Sequence, residues 1–353
     1  MKLMYMDKAI DLAKMGIGFV NPDPLVGAVI VKNEKIIGQG YHKVCSGFTA
    51  EVEAINSVTE EIEGSDIYIN LEPDAKAIIK NGIKKVYIGI LHPKDKGRNV
   101  DIMRAAGIEV EIDVLKEKCE ELNEISMQYL TTGKPFVFTK WAMTLDGKLA
   151  SKTGDSKWIS GEDSLRFVHH LRQRVAAIMV GENTVRLDDP LLTTRLEGVE
   201  ISNPIRVILS RYGDIAMDSK VLVTDKDTQT IVIVSNNISS KKEILLLEKG
   251  AQVIKLKETN EKIDFKDIVQ ALGDRGLDSL YIEGGSGVLA SAFEAEVVNK
   301  VYVAIAPKII GGRDAVTPVG GLGIERMRDA IVLKRVTHEI VGSEVIFKGY
   351  IEN

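Results

Sequence analysis

The spacing of hydrophobic and polar residues predicts alternating helices and strands over residues 1–115. In "MDKAIDLAKM", Met6, Ile10 and Ala13 share one helical face, whereas "LVGAVIVK" is a continuous apolar run typical of a buried strand. The strand "KIIGQGY" follows the turn residues "NEK" and predicts a hairpin. The later elements are predicted as helix "AEVEAINSV", strand "IYINL", helix "DAKAIIKN", strand "KKVYIGIL", helix "NVDIMRAA" and strand "IEVEI". This order is typical of an α/β layered domain.

A second α/β domain is predicted over residues 136–353. Residues 116–135 precede it and are predicted to be a connecting helix and linker, because Gly133 and Pro135 in "TTGKP" break helices. The strand "FVFTKWAMTLDGKLA" opens the second domain, and strands and helices are predicted to alternate to its end. Its clearest strands are "AAIMVG", "IRVILS", "QTIVIVS", "SLYIEGG" and "KVYVAIAP". They are apolar on both faces, as expected for a sheet covered by helices on both sides.

Composition narrows the class of protein. The chain has 353 residues, is 44% hydrophobic and 27% charged, and carries a net charge of -5, which favours a soluble enzyme over a nucleic-acid binder. Asp7 interrupts the first apolar run before it is long enough for a signal peptide or a membrane span, so we expect a cytoplasmic protein without a membrane partner. Cys45 and Cys119 are expected to be free thiols. With only these two cysteines and no Cys-x-x-Cys motif, a zinc site of the usual cysteine-rich kind is excluded. The adjacent pair His169 and His170 would point about 100° apart on a helix and is a poor metal clamp.

A glycine-rich turn in "YIEGGSGVLASAFEA" is a candidate phosphate site. It joins a hydrophobic strand to a helix, and backbone amides at such a helix start can hold a phosphate. A tight turn without a ligand gives the same pattern, and the acidic residue of a dinucleotide-binding fingerprint is missing. From this segment alone, both interpretations stay open.

Two further segments concentrate polar chemistry. Trp158 lies in the predicted loop "TGDSKWISG", where an exposed aromatic ring is typical of a binding platform. The predicted loop "GENTVRLDDPLLTTR" places Arg186, Asp188, Asp189 and Arg195 after the strand "AAIMVG". They indicate either a ligand site at the carboxyl end of a strand or a solvated charge cluster.

Six blocks from residue 136 to about residue 312 carry a family resemblance: "KWAMTLDGKLAS", "GDSKWISG", "VGENTVRLDDPLLTTR", "NPIRVILS", "YIEGGSGVL" and "APKIIGG". In this order they resemble the reductase domain of the bacterial riboflavin biosynthesis proteins that join a pyrimidine deaminase to a pyrimidine reductase. The resemblance implies a dihydrofolate reductase-like fold, NADPH as cofactor and a small-molecule phosphoribosyl pyrimidine as substrate. The implied reaction converts a ribosylamino to a ribitylamino side chain, with hydride delivered to C1′ of the sugar. A homo-oligomer is expected for this reductase fold.

The resemblance also implies site residues. The implied cofactor contacts are Ala142, Trp158, Thr184, Asp188, Gly285, Ser286, Gly287, Val288 and Leu289. The implied substrate contacts are Ser156, Arg172, Leu192, Arg195 and Glu283. The two arginines among them suit a phosphate monoester, which a guanidinium group can bind with two hydrogen bonds. Asp188, Glu283 and Lys140 are unranked candidates for proton transfer to a ring-opened imine.

The amino-terminal blocks "NPDPLVGAVIVKNEKIIGQGYH", "AEVEAI", "LEP" and "NGIKKVYIGILHP" resemble the deaminase half of the same family, which has the cytidine deaminase-like fold. Such deaminases hold zinc with a His or Cys before Ala-Glu, a Pro-Cys and a third cysteine. Here Thr49 occupies the His position and Asp74 the Pro-Cys position, and "LEPD" runs straight into a predicted helix without the loop of the third ligand. Glu51, the proton-transferring residue of the family, is retained. We therefore expect no zinc and no deaminase activity.

Two other hypotheses remain. His42 and Cys45 could rebuild an unusual metal site, which would make the chain a fully bifunctional deaminase and reductase. Alternatively, the chain could be a nucleotide-binding protein without catalysis. If the zinc is absent, Glu51 has a structural role by default, because a carboxylate in the first turn of a helix stabilises it by about 0.3–1 kcal/mol.

Overall fold

The computed structural model describes residues 1–223 and 228–352. The chain divides into two compact units, Met1–Gly133 and Lys134–Asn353. The predicted connecting helix is α5 (Lys116–Thr132), and its Cys119 is buried in a hydrophobic cluster of the first unit. The assignment of residues 116–135 as a separate linker stays a prediction.

The first unit is a sheet between two helical layers. Its helices are α1 (Lys2–Lys14), α2 (Ala50–Asn56), α3 (Ala75–Lys80), α4 (Arg98–Ala105) and α5. Its strands are β1 (Gly27–Lys32), β2 (Lys35–Tyr41), β3 (Asp66–Leu71), β4 (Lys85–Ile90) and β5 (Glu109–Glu111), in the order β2-β1-β3-β4-β5. Strand β1 is antiparallel to β2 and β3, whereas β3, β4 and β5 are parallel. Each of these elements was predicted from the sequence, and the structure confirms them.

Alternation along β1 explains the two layers. Ala28 and Ile30 pack into the cluster that includes α2, α3 and α4, and Val29 and Val31 pack into the cluster that includes α1 and α5. Successive residues of a strand point to opposite faces, so a continuous apolar run supplies both layers. The unit therefore has its own hydrophobic core on both sides of the sheet.

Two glycines of β2 position α2. A Cβ atom on Gly40 would lie 2.3 Å from the backbone nitrogen of Ala54, and one on Gly38 would lie 2.7 Å from the Ala54 carbonyl oxygen. Because both glycines face α2, the helix approaches the strand closely. This approach fixes the helix that carries Glu51.

The second unit is built around a nine-stranded sheet. Its helices are α6 (Glu162–Arg174), α7 (Glu182–Asp188), α8 (Ser240–Glu248), α9 (Phe265–Gly273) and α10 (Ser286–Glu294), with 3-10 turns at Lys220–Leu222 and Met327–Asp329. Its strands are β6 (Phe136–Thr144), β7 (Ala177–Gly181), β8 (Ile205–Leu209), β9 (Thr230–Ser235), β10 (Gln252–Leu256), β11 (Glu258–Thr259), β12 (Lys262–Ile263), β13 (Ser279–Gly284), β14 (Lys300–Ala306), β15 (Lys334–Val341) and β16 (Glu344–Tyr350). The order is β10-β9-β8-β7-β13-β6-β14-β16-β15, with β11 and β12 as a separate hairpin.

Three predictions for the second unit are wrong. The alternation of strands and helices does not continue to the end: after β14, a segment rich in glycine leads to the antiparallel hairpin β15–β16. The first half of the predicted loop "GENTVRLDDPLLTTR" is the helix α7, because no glycine or proline interrupts Glu182–Asp188 before Pro190. The predicted strand from Phe136 also ends early, at Thr144, where "LDGK" forms a turn with Gly147 at φ 78°.

Neither unit contains a helix that, within residues 1–223 and 228–352, combines the length and the apolar character needed to cross a membrane.

The close approach of α2 and β2 predicts that Gly40→Ala lowers the free energy of unfolding by about 1–3 kcal/mol, because the added methyl group overlaps helix backbone. Gln39→Ala is the matched control, since Gln39 is exposed between the two glycines. It should change the free energy by less than about 0.5 kcal/mol. Urea denaturation followed by circular dichroism measures both, and equal effects would contradict the packing described here.

Candidate functional site

The centre of the second unit's sheet places two charged residues side by side. Ile282 of β13 is the register partner of Thr139 of β6, so the next residues, Glu283 and Lys140, lie level on neighbouring parallel strands and on the same face. Strand β13 lies between β6 and β7. Ligands of α/β proteins bind at the carboxyl ends of such strands.

Arg172 of α6 pairs with Glu283. Its Nε donates to Oε2 of Glu283 at 2.7 Å, and a terminal guanidinium nitrogen donates to Oε1 of the same carboxylate. The other terminal nitrogen donates to the carbonyl oxygen of Thr193 at 2.9 Å. Burial disfavours the charged form of Arg172, but the negative charge and hydrogen bonds of Glu283 outweigh it and raise the pKa of Arg172. The guanidinium group is thus held by the protein itself.

Lys140 lies in the same charged cluster and is only 6% exposed. Burial lowers the pKa of Lys140, and the positive charge of Arg172 lowers it further, while Glu283 and Glu344 oppose the shift. A lowered pKa brings a lysine closer to the range in which it can release a proton at neutral pH.

Glu344 is a residue that the sequence analysis missed. It lies at the start of β16, is buried, and accepts hydrogen bonds from the hydroxyl of Ser164, at 2.7 Å, and from the backbone N–H of Gly161. Both donors belong to the beginning of α6, where a negative charge is favourable. Glu344 therefore ties the carboxyl-terminal hairpin to the helix that carries Arg172. In the sequence it looks like an ordinary polar residue next to a turn.

The glycine-rich turn offers backbone amides next to Thr184. Helix α10 begins after Gly285, which has φ 88°, and a Cβ atom on Gly287 would meet no other atom within 4 Å. The amides of residues 286–288 open the helix, where N–H groups have no partner within the helix. A Cβ atom on Gly285 would lie 3.5 Å from the hydroxyl oxygen of Thr184. The structure thus brings Thr184 and this turn together, and the space next to Gly287 is unfilled by other side chains.

Leu289 differs from the rest of the turn. Its side chain is buried in the hydrophobic core, and its N–H donates to the Gly285 carbonyl oxygen at 3.0 Å. The amide of Leu289 is therefore used inside the helix.

The remaining predicted cofactor positions are less enclosed. Ala142 lies on β6, on the same face as Lys140, and is half-buried. The side chain of Trp158 is 68% exposed, and its carbonyl oxygen accepts from Lys308 Nζ at 2.6 Å. Asp188 is exposed at the end of α7.

The predicted substrate residues Ser156, Leu192 and Arg195 lie outside regular secondary structure. Ser156 and Arg195 are exposed, whereas Leu192 is buried and has φ 56°, so its backbone is the part that can face a ligand. The backbone N–H of Arg195 donates to Nδ1 of His169 at 3.1 Å. His169 is a second residue that the sequence analysis did not assign to the site.

Two of the sequence blocks brace each other. Asp146 in "TLDGK" accepts hydrogen bonds from the N–H of Gly311, at 2.7 Å, and of Ile310, at 3.3 Å, in "KIIGG". The N–H of Leu145 donates to the carbonyl oxygen of Lys308 at 2.8 Å. These contacts hold the two blocks against each other.

The site predicted in the first unit is built differently. Glu51 on α2 is 2% exposed, and its Oε1 accepts from the backbone N–H of Asp74 at 3.2 Å. Burial raises the pKa of Glu51, although backbone N–H groups and Thr49 donate hydrogen bonds that oppose the shift. Asp74 caps α3, because its Oδ1 accepts from the N–H of Lys76 at 2.8 Å.

The donor groups around Glu51 do not fit zinc. Both ring nitrogens of His42 are engaged, Nδ1 with the Phe48 carbonyl oxygen at 2.9 Å and Nε2 with Asp23 at 3.2 Å. The Sγ of Cys45 lies 3.7 Å from the hydroxyl oxygen of Ser46. Within the part of the chain that the structure describes, no three His, Cys, Asp or Glu residues form a group that could hold a metal ion. A protein zinc site needs at least three such ligands.

Another carboxylate of the first unit has a structural role. Glu72 in "LEP" is buried and accepts hydrogen bonds from the N–H groups of His92, Gly97 and Asn99, at 3.1, 3.0 and 2.9 Å. It orders the segment that leads into α4. The glutamate of the "LEP" block therefore holds the segment between β4 and α4 in place.

Comparisons with known proteins find a matching family for each unit. A family described as "RibD C-terminal domain" matches residues 135–347, and one described as "Cytidine and deoxycytidylate deaminase zinc-binding region" matches residues 2–90. The riboflavin biosynthesis protein RibD of Actinobacillus pleuropneumoniae is 39% identical over 98% of this chain and 94% of its own length. RibD of Aquifex aeolicus is 37% identical over 98% of each chain.

Solved structures support the fold of each unit. The crystal structure of a diaminohydroxyphosphoribosylaminopyrimidine deaminase/5-amino-6-(5-phosphoribosylamino)uracil reductase from Thermotoga maritima has a TM-score of 0.86, 33% identity and 99% coverage of both chains. RibD from Acinetobacter baumannii has a TM-score of 0.87 at 27% identity, over 100% of this chain and 99% of that chain. The predicted fold class is confirmed: a cytidine deaminase-like α/β unit is followed by a dihydrofolate reductase-like α/β unit.

The buried state of Glu51 predicts a pH-dependent effect of Glu51→Gln. Because the pKa of Glu51 is raised in the folded protein, its neutral form stabilises the fold below pH about 4.5, and this contribution is lost as the pH rises through the folded pKa. Glutamine stays neutral and still accepts from the Asp74 N–H. The variant should therefore gain stability relative to the wild type between pH 4 and pH 8.

Hydrogen exchange of the amides of α2, measured at both pH values, tests this effect. The exposed Glu60→Gln is the control and should show no such gain. A stability difference that does not change with pH would show that Glu51 is not the group being titrated.

Proposed function

The chain belongs to the RibD family of riboflavin biosynthesis proteins, and from this we propose that its second unit reduces 5-amino-6-(5-phosphoribosylamino)uracil with NADPH to the ribitylamino compound. The family joins a deaminase to a reductase, and the reductase domain is present here. The observation that carries the proposal is the cluster of Lys140, Arg172 and Glu283 at the central strands, on the same sheet as the glycine-rich turn.

The residues present fit NADPH. The open amides of residues 286–288 and the hydroxyl of Thr184 can bind phosphate oxygens, since a helix start favours negative charge. Ala142 and the exposed ring of Trp158 are the proposed contacts for the rest of the cofactor, with Asp188 at the end of α7. When bound, NADPH supplies the hydride that is added at C1′ of the sugar.

The substrate's phosphate would bind near Arg195. Its side chain is exposed, whereas the guanidinium group of Arg172 is engaged with Glu283 and Thr193. Ser156 and the backbone of Leu192 are the further proposed contacts. Arg172 can join them only by sharing its hydrogen bonds between the phosphate and its protein partners.

Among the three candidates for proton transfer, we propose Lys140. Asp188 is exposed at the end of α7, and both carboxylate oxygens of Glu283 accept from Arg172. Lys140 is buried beside Glu283 and has a lowered pKa, as a proton donor that works near neutral pH requires. Its ammonium group would donate a proton to the nitrogen of the ring-opened imine, whose carbon, C1′, takes up the hydride. The imine thereby becomes the amine of the product, and the side chain of Lys140 is left as a neutral amine.

We further propose that the first unit is catalytically inactive as a deaminase and acts as a stabilising or assembly domain. Three features support this: Thr49 stands where a zinc ligand is needed, Asp74 caps a helix, and Glu51 is buried against the Asp74 N–H. A fully bifunctional enzyme with an unusual metal site would need His42, but both of its ring nitrogens are engaged.

The two activities can be tested separately. The purified protein is offered the aminated and the deaminated phosphoribosyl pyrimidine in parallel, each with NADPH, and NADPH absorbance and ammonia are followed. We expect NADPH oxidation only with the deaminated substrate, and no ammonia with either. Ammonia release, together with stoichiometric zinc by metal analysis, would support the bifunctional alternative, and no oxidation with either substrate would support a non-catalytic nucleotide-binding protein.

A role of Lys140 in proton transfer predicts that Lys140→Met lowers kcat by about 10²–10⁴-fold while KM changes much less. Methionine keeps the apolar length of the side chain and removes the proton. Lys266→Met, at an exposed position of α9, is the control and should leave both constants unchanged. Steady-state kinetics measure both variants, and a loss confined to KM would assign Lys140 to binding instead.

A further inference from the structure

We propose that His169 is a positioning residue that holds Arg195 in place for the substrate's phosphate group. The proposal rests on the proposed reductase function. His169 lies on α6 and is half-buried, and its Nδ1 accepts the backbone N–H of Arg195 at 3.1 Å. The side chain of His169 contacts the backbone of Arg195, the proposed phosphate-binding residue. The effect of His169 on the substrate is therefore indirect.

Three side chains of α6 hold the segment of residues 193–202. His169 accepts from Arg195, Arg172 donates to the Thr193 carbonyl oxygen at 2.9 Å, and Oε1 of Gln173 accepts from the N–H of Ser202 at 2.9 Å. Residues three and four apart lie on one helix face, which explains why all three reach the same segment. The segment has no regular secondary structure, so these contacts set its position on the helix.

The chemistry of the contact requires a neutral imidazole. Nδ1 accepts a hydrogen bond only when it carries no proton. Burial, followed by the charges of Arg172 and Arg195, lowers the pKa of His169 to about 4, while Glu283 and the backbone of Thr193 oppose this shift. At neutral pH the acceptor is therefore present, and His169 adds no positive charge beside the two guanidinium groups.

The side chain of Arg195 depends on this anchoring. Its guanidinium group is exposed and lies 3.4 Å from the Thr193 hydroxyl oxygen. A long side chain held this lightly takes its position from its backbone, and loss of the backbone contact should weaken phosphate binding. The proposed proton donor is Lys140, which His169 does not hold in place, so the chemical step should be unaffected.

The neighbouring His170 is an internal control. It is exposed on the same helix, where adjacent side chains point about 100° apart. Removing it changes the local sequence in the same way without touching residues 193–202.

The test compares His169→Leu, His169→Asn and His170→Leu with two substrates, the phosphorylated compound and its unphosphorylated riboside. We expect His169→Leu to raise KM for the phosphorylated substrate by about 5–10-fold, the worth of one hydrogen bond, with kcat and the riboside's KM unchanged. His169→Asn should restore KM to within about twofold, since its Oδ1 can replace Nδ1 as acceptor. His170→Leu should behave as the wild type.

Several outcomes would overturn the proposal: an unchanged KM in His169→Leu, an equal loss for both substrates, or no rescue by asparagine. If the leucine variant fails to fold by circular dichroism, His169→Phe keeps the ring without the acceptor and takes its place.

Calorimetric binding of ribose 5-phosphate separates this proposal from the proposed function. A wild type that binds it without turning over the substrate, with weaker binding by His169→Leu, would refute the reductase assignment and keep the role of His169. A wild type that does not bind it would refute the role of His169.

Discussion

The ion pair between Arg172 and Glu283 is the interaction on which the second unit's site depends. It joins α6 to the central strand β13, and its two charges set the electrostatic surroundings of Lys140 and His169. A carboxylate removed from water needs a partner, because an unpaired buried charge is strongly destabilising. If Arg172 were absent, its positive charge would no longer lower the pKa of Lys140, while Glu283 would still raise it. The pair therefore holds α6 on the sheet and favours the lowered pKa that the proposed role of Lys140 requires.

The stability of the first unit can be traced to contacts that involve no metal. Its stability comes from apolar layers on both faces of β1 and from buried polar contacts. Among the latter are the three hydrogen bonds that Glu72 accepts from backbone N–H groups. Hydrophobic burial dominates the stability of a domain of this size. Asp74 caps α3, and Glu51 accepts a hydrogen bond from the N–H of that same residue. Glu51 and Asp74 thus link α2 to α3.

Local patterns predicted most of the secondary structure. They missed the short helix α7, and they gave no signal for contacts between residues that are distant in the chain. The apolar run of β1 and the period of α1 need no partner to be recognised, because one strand or helix carries the whole signal. The segment Glu182–Asp188 was mistaken for a loop because it is short and polar, although it lies between a buried strand and a proline. Glu344 and His169 gave no signal, since their partners are 180 and 26 residues away in the chain. The roles of the site residues therefore came from the family resemblance, and their supporting contacts only from the fold.

The charges around the second unit's site are compatible with the anionic substrate proposed for it, although the protein as a whole is acidic. The whole chain carries a net charge of -5. Around β13, however, three cations (Lys140, Arg172 and Arg195) face two anions (Glu283 and Glu344), which leaves one positive charge in excess. The pKa of His169 is lowered to about 4, so at neutral pH this residue adds no further positive charge. The phosphate group of the proposed substrate would therefore meet a local positive potential, although the net charge of the protein is negative. At physiological salt, the fields of more distant surface charges are screened beyond about 8 Å, so they have little effect on this local potential.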